Sequence, residues 1–208
     1  METLSLRING VSPLMMNNNQ TVNPLNIYTK AIKPLTSKRK KTDDDYERIA
    51  RAEWEGSLYI WNGEIGHPAR CLQACLISGA KLTKNGTRIQ RATRIEGLFV
   101  NMLNYNDNII SNIPDPHTVD DIPTKELNKL YTPNYYDQRV VKVGMSGGII
   151  RTRPIFPVWA FEFDMLVHEN LIDIDQVIEC WRDAGKFEGL SECRKQYYGR
   201  FDVEVLKN

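Results

Sequence analysis

Apolar and polar residues alternate over two long stretches of the chain. Trp159, Phe161, Phe163, Met165 and Val167 interleave with Ala160, Glu162, Asp164, Leu166 and His168, which predicts a strand with one aromatic face and one partly acidic face. Phe201, Val203 and Val205 alternate with Asp202 and Glu204, predicting a second strand of the same kind from Phe201 to Leu206. A first strand is predicted from Leu4 to Ile8, ended by Asn9 and Gly10. Shorter strands are predicted at Leu58–Trp61 and Gly97–Leu103. Val140 and Val141 before Gly147 and Gly148, with Ile149 and Ile150 after them, predict a hairpin whose turn uses the two glycines.

Helical spacing appears in three places. Asp43, Asp44 and Asp45 put acids at the start of a helix from about Asp44 to Glu55, where the helix dipole favours them. Pro68 opens a second helix with Leu72, Cys75, Leu76 and Gly79 on one stripe. Asp173 caps a third, with Ile174, Val177, Ile178, Trp181 and Ala184 on one face and Gly185 at its end. Asn17–Lys41 is too polar and too interrupted by Pro24 and Pro34 to be a core element, and Asn104–Gln138 is irregular, punctuated by Pro114, Pro116, Pro123 and Pro133. The order strand, helix, strand, twice over, predicts an α+β, ferredoxin-like (RRM-like) domain over residues 1–208, with a basic hairpin and loop excursions near 17–43, 82–96 and 104–138.

Composition adds a soluble, globular character: 41% hydrophobic and 25% charged residues in 208. No apolar run reaches the roughly 18 to 20 residues that span a bilayer, and the N-terminus has no signal core, so a cytoplasmic protein without membrane contact is expected. Cys71, Cys75, Cys180 and Cys193 then read as reduced thiols, and their spacing does not favour zinc. No cofactor or metal is called for. Phosphate-loop, dinucleotide, zincin and GxSxG motifs are absent, and His67, His117 and His168 form no catalytic grouping, so catalysis is not expected.

Net charge of +1 gives no argument for nucleic acid, but the distribution does. Lys30, Lys33, Lys38, Arg39, Lys40 and Lys41 form one acid-free run. Lys81, Lys84, Arg88, Arg91 and Arg94 form a second, and Arg139, Lys142, Arg151 and Arg153 a third. Together they hold fifteen of the 27 cations. A protein that grips single-stranded RNA without reading its sequence needs cations spaced along a groove. The candidate contacts are Lys38, Arg39, Lys40, Lys41, Lys81, Lys84, Arg88, Arg91, Arg94, Arg139, Lys142, Arg151 and Arg153. Glu162, Asp164, Asp202 and Glu204 would repel RNA from the open sheet face, which excludes the base-stacking mode of RRM domains there. That face is free to meet a basic surface of a second copy, head to tail. Trp54, Trp61, Trp159 and Trp181 are assigned to the core. Tyr135, Tyr136, Tyr197 and Tyr198, in loops beside arginines, are free to stack on bases or to anchor those loops.

The segments SPLMMNN (Ser12–Asn18), SLYIWNGEIGHPARCLQACLISGAK (Ser57–Lys81), the basic hairpin and YGRFDVEV (Tyr198–Val205) resemble, in this order, small phage-borne members of the RAMP superfamily, which includes the backbone subunits of CRISPR effector complexes. The resemblance implies a palm-like domain, head-to-tail stacking and a guide RNA held by its backbone, with target nucleic acid as a further partner. It also implies a glycine-bearing loop before the last strand, matched here by Gly185, Gly189 and Gly199. Some members cut RNA with an aspartate after the first strand. Asp43, Asp44 and Asp45 stand at the end of the corresponding loop, but helix capping explains them better. The expected function is a non-catalytic RNA-binding subunit. The alternatives are a phage structural or assembly protein without nucleic acid, and a metal-dependent nuclease using the acidic strands.

Overall fold

The computed structural model describes residues 1–104, 106–111, 113, 122–143 and 146–207, with the backbone alone at 126, 143 and 146. Its strands are β1 (Glu2–Gly10), β2 (Leu14–Met15), β3 (Ile60–Trp61), β4 (Glu64–Pro68), β5 (Thr93–Ile95), β6 (Phe99–Leu103), β7 (Tyr136–Val143), β8 (Ser146–Phe156), β9 (Ala160–Val167) and β10 (Phe201–Lys207). Its α-helices are α1 (Ile27–Thr36), α2 (Asp43–Gly56), α3 (Ala69–Leu82), α4 (Gly86–Ala92) and α5 (Ile174–Asp183). The fold is α+β with antiparallel sheet pairing. The chain divides into two compact units: Met1–Met15, Glu64–Ser111 and Pro157–Asn208 form unit 1, and Met16–Gly63 with Asn112–Phe156 form unit 2.

In unit 1 the strands lie in the order β10-β1-β9-β6-β4, with β5 paired to β9 beyond the end of β6. Alternation decides which face each strand buries. Leu4, Leu6 and Ile8 of β1 and Phe161, Met165 and Val167 of β9 are fully buried on the inner face. An aromatic cluster fills the space above them. Trp181 of α5 stands 5.3 Å from Phe163 and 6.2 Å from Phe201, and Trp159 stands 5.7 Å from Phe161. Both indole N–H groups are satisfied, Trp159 by the Ser12 carbonyl at 2.8 Å and Trp181 by the Met165 sulfur at 3.3 Å. α3 buries Leu72, Cys75 and Leu76, as its stripe predicts. Gly66 is the reason the segment EIGHP can be a strand: a Cβ there would come within 2.2 Å of the Val100 carbonyl oxygen on β6.

Unit 2 is built on α2. A capping box closes its first turn, Thr42 accepting from the Asp45 N–H at 3.3 Å and Asp45 accepting from the Thr42 N–H at 3.0 Å. The helix then presents three consecutive anchors. Glu53 accepts from the Arg151 guanidinium and from the Thr152 N–H at 3.0 Å, which fixes β8. Trp54 donates to the Tyr135 carbonyl at 2.8 Å and packs edge-on against Tyr131. Glu55 accepts from the N–H and hydroxyl of Thr124, at 2.6 and 3.0 Å. Burial and the neighbouring Tyr136 push the Tyr131 hydroxyl up to about 12.

Several elements differ from the sequence reading. The stretch Asn17–Lys41 contains a 3-10 turn (Asn19–Val22) and α1. Asn26 caps α1 by accepting from the Tyr28 N–H, Tyr28 and Leu35, seven residues apart and so on one face, are buried, and Pro34 sits inside the helix, where it forgoes one helix bond. Residues 82–96 hold α4 and β5, whose Ile89, Ala92 and Ile95 are buried. The predicted hairpin turn is misplaced. Val140 pairs with Ile150 and Val141 with Ile149, so the ladder centres between Val143 and Ser146, on residues outside the description. Gly147 and Gly148 lie inside β8 without positive φ. Gly185 does not end the last helix: a π-helical turn continues it from Ala184 to Glu188, and Gly189, at φ +78°, ends that. Trp61 is 53% exposed rather than core. Pro114, Pro116 and His117 lie outside the described residues.

Candidate nucleic-acid interface

The three cationic runs meet different fates. Lys81, Lys84, Arg88 and Arg91, from the end of α3 through α4, are all exposed, and among the described residues none of them is in an ion pair. Arg88 is held in place, its Nε and Nη2 donating to the Leu171 carbonyl at 3.1 and 2.8 Å. The short α4 keeps Arg88 and Arg91 one turn apart on the outer side of buried Ile89. Arg94 separates from this group. It projects from β5 between buried Thr93 and Ile95, opposite Leu166, and so belongs to the outer sheet face.

In unit 2 the first run is partly neutralised. Lys38 pairs with Asp45, whose carboxyl that ammonium and the Thr42 N–H hold below the ordinary carboxylate range. Lys41 donates to the Lys38 carbonyl at 3.0 Å, while Arg39 and Lys40 are exposed. The hairpin run is split by the pleat. Arg139, Arg151 and Arg153 share one face with Asp137, whereas Lys142 lies on the other with Val140 and Ile150. Arg139 donates to Asp137 at 2.7 Å and Arg151 is taken by Glu53. Arg139 and Arg151 are thus committed to the hairpin's own scaffold, while among the described residues Lys142 is exposed and in no ion pair.

The outer sheet face of unit 1 carries the acids that the alternation predicts, with an addition. Glu162 on β9 and Glu204 on β10 are not neighbours: β1 runs between them and sets Arg7 opposite both. Arg7 donates to Glu162 at 2.6 Å and to Asp107, and these acids raise its pKa, Asp107 foremost. Sequence reasoning missed Arg7, although it is the one cation among Thr3, Ser5, Arg7 and Asn9, the polar positions of β1. A groove of about 500 Å³ runs beside it, walled by Glu96, Glu162 and Asp164 and floored by Phe99, Leu103 and Ile109. Because Arg7 already holds Glu162, a cation stands where a metal-bridging carboxylate pair would be needed. Among the described residues no group of three or more His, Cys, Asp or Glu could hold a metal ion.

The inner site found only in the structure is His67, whose Nε2 lies 3.0 Å from the Ser191 hydroxyl. It joins β4 to the loop before β10, a loop in which Ser191, Cys193 and Tyr197 have positive φ as well as Gly189 and Gly199. Cys75, beneath that loop, donates to the Gly189 carbonyl, and burial pushes its thiol up to about 12, which makes it inert.

No protein-family model matches the chain, and no curated protein matches it. Among the described residues no helix is long and apolar enough to cross a membrane.

Proposed function

We propose that the chain is a non-catalytic subunit that holds single-stranded RNA by its backbone and assembles head to tail along it, using unit 1 as a ferredoxin-like, RAMP-type platform. The strand order β10-β1-β9-β6, with α3 and α5 joining non-adjacent strands, supports the platform. The RNA reading is carried by one observation: Lys81, Lys84, Arg88 and Arg91 form an exposed row free of ion pairs among the described residues. Cations already matched to carboxylates release no counterions from RNA, whereas unmatched ones do. Arg39, Lys40 and Lys142 are further exposed cations, in unit 2.

Assembly draws on two surfaces. The outer face of unit 1 is acidic around an apolar groove. The hairpin of unit 2 exposes Val140 at 68% and Ile150 at 66%, a cross-strand pair with Lys142 beside it. Exposed aliphatics paired across β7 and β8 mark a contact surface, and the cation beside them suits the acidic groove of a second copy.

The test is binding of labelled single-stranded RNA across a salt series. Replacing Lys81, Lys84 and Arg91 by Gln lowers the steepness of log K against log salt by roughly 0.7 per cation removed, equally for unrelated RNA sequences. An unchanged slope in a variant that melts normally removes this row from the site. No binding by the unaltered chain at low salt leaves the structural-protein alternative.

A further inference from the structure

Strand β10 is hydrogen-bonded to β1 on one side only, and among the described residues no strand pairs with its other edge. An open edge is a row of backbone donors and acceptors ready for another strand. Beside it α5 and the turn that follows form the opposite wall of a groove of about 620 Å³, within the size range of ligand sites. Two aromatic rings flank the groove without being buried, Phe187 at 55% and Tyr197 at 65% exposed. The lining mixes Val11, Phe187 and Val203 with charged Glu179, Arg182, Lys186 and Asp202, and a strand edge facing a helix across such a cleft is the geometry that receives an extended peptide.

The end of the groove holds the second observation. Arg200, which lines it one residue before β10, has its Nε and Nη1 shielded from solvent and, among the described residues, without a hydrogen-bond acceptor. Its Nη2 reaches the Arg194 carbonyl at 3.2 Å, and the Tyr197 ring lies over the guanidinium at 5.6 Å. Buried charged donors without acceptors are costly, and a carboxylate oxygen reaching one of them supplies both the missing acceptor and the opposite charge. Tyr197, in a left-handed backbone conformation at φ +70°, is the group that must turn aside to admit one.

Direction selects the carboxylate. A strand added antiparallel to β10, as every neighbour in this sheet is, runs from the Lys207 end towards Phe201 and finishes at Arg200. We propose that this groove binds the free C-terminus of an extended peptide from a partner protein: the peptide adds as a strand to β10, an apolar side chain lies between Phe187 and Val203, and its terminal carboxylate is taken by Arg200. The proposal is independent of the RNA reading, since none of these residues belongs to the cationic row.

The experiment uses the full chain and synthetic pools of random hexapeptides with a free C-terminus, each pool fixed as Leu, Val, Phe or Lys at the last position, alongside the same pools amidated. Titration calorimetry is expected to show binding by the apolar free-acid pools and at least about tenfold weaker binding by their amides, the loss of a charge-assisted pair. Arg200→Gln abolishes the difference between acid and amide, and bound peptide slows hydrogen exchange at the β10 amides. Equal binding of acid and amide by the unaltered chain overturns the proposal whatever the variant does. So does the absence of binding by any pool, or protection that appears away from β10.

Discussion

His67 carries its ring inside unit 1, with Ser191 at 3.0 Å from Nε2 and Phe161 edge-on at 6.2 Å. Burial lowers its pKa from 6.5 to about 3. The unfolded chain therefore binds a proton near pH 6.5 that the folded chain refuses until near pH 3, so stability falls as the pH drops through that window. At about pH 5 the loss from this residue is about 2 kcal/mol relative to neutral pH. Urea midpoints measured at both pH values test it. A His67→Gln chain, less stable at neutral pH through repacking, should lose that share of the pH dependence, and an unchanged profile would show that His67 is not the group responsible. Glu53 and Glu55 pose the opposite case at the same scale. They are buried acids whose partners, Arg151, Thr152 and Thr124, all lie far away in the chain. Nothing in the local pattern ARAEWEG announces this, because a carboxylate on a helix ordinarily faces water.

Among elements, the long alternating strands are read from sequence almost residue for residue. Burial of Leu4, Leu6, Ile8, Phe161, Met165 and Val167 follows from period two alone. What sequence misses are elements whose stability comes from neighbours rather than from their own pattern. EIGHP becomes β4 only because Gly66 lets β6 approach, and α1 forms around Pro34 because Tyr28 and Leu35 find a core. Of the candidate site, the row on α3 and α4 was readable as exposed cations. The neutralisation of Arg139 and Arg151 was not, since it depends on the pleat and on α2. The loop before β10 makes a prediction of its own. A Cβ on Gly199 would meet the Leu190 carbonyl oxygen at 1.9 Å with the backbone at φ +70°, so Gly199→Ala should cost more than about 2 kcal/mol in a denaturant titration. Gly147 has nothing within 4 Å of such a Cβ, and Gly147→Ala should stay within about 0.5 kcal/mol or stabilise β8. Equal effects at the two sites would contradict this description of the loop.

For the whole molecule, the acid face and the cationic row make separable predictions. Asp164→Lys with Glu204→Lys reverses charge on the outer sheet face without touching the Arg7–Glu162 pair. Multi-angle scattering should then find one copy on a long RNA where the unaltered chain adds many, while affinity for a short RNA is kept or raised. Growth in mass by the doubly reversed chain would exclude this face from the contact.

β1 is synthesised before β9 and β10 and lies between them, their residues beginning at Ala160 and Phe201. Its two ladders therefore close only after β10 has been synthesised, and until then a nascent chain carries Leu4, Leu6 and Ile8 without both neighbouring strands. Ribosome-stalled chains ending before β10 should accordingly stay bound to chaperones, and release should coincide with emergence of β10 from the exit tunnel.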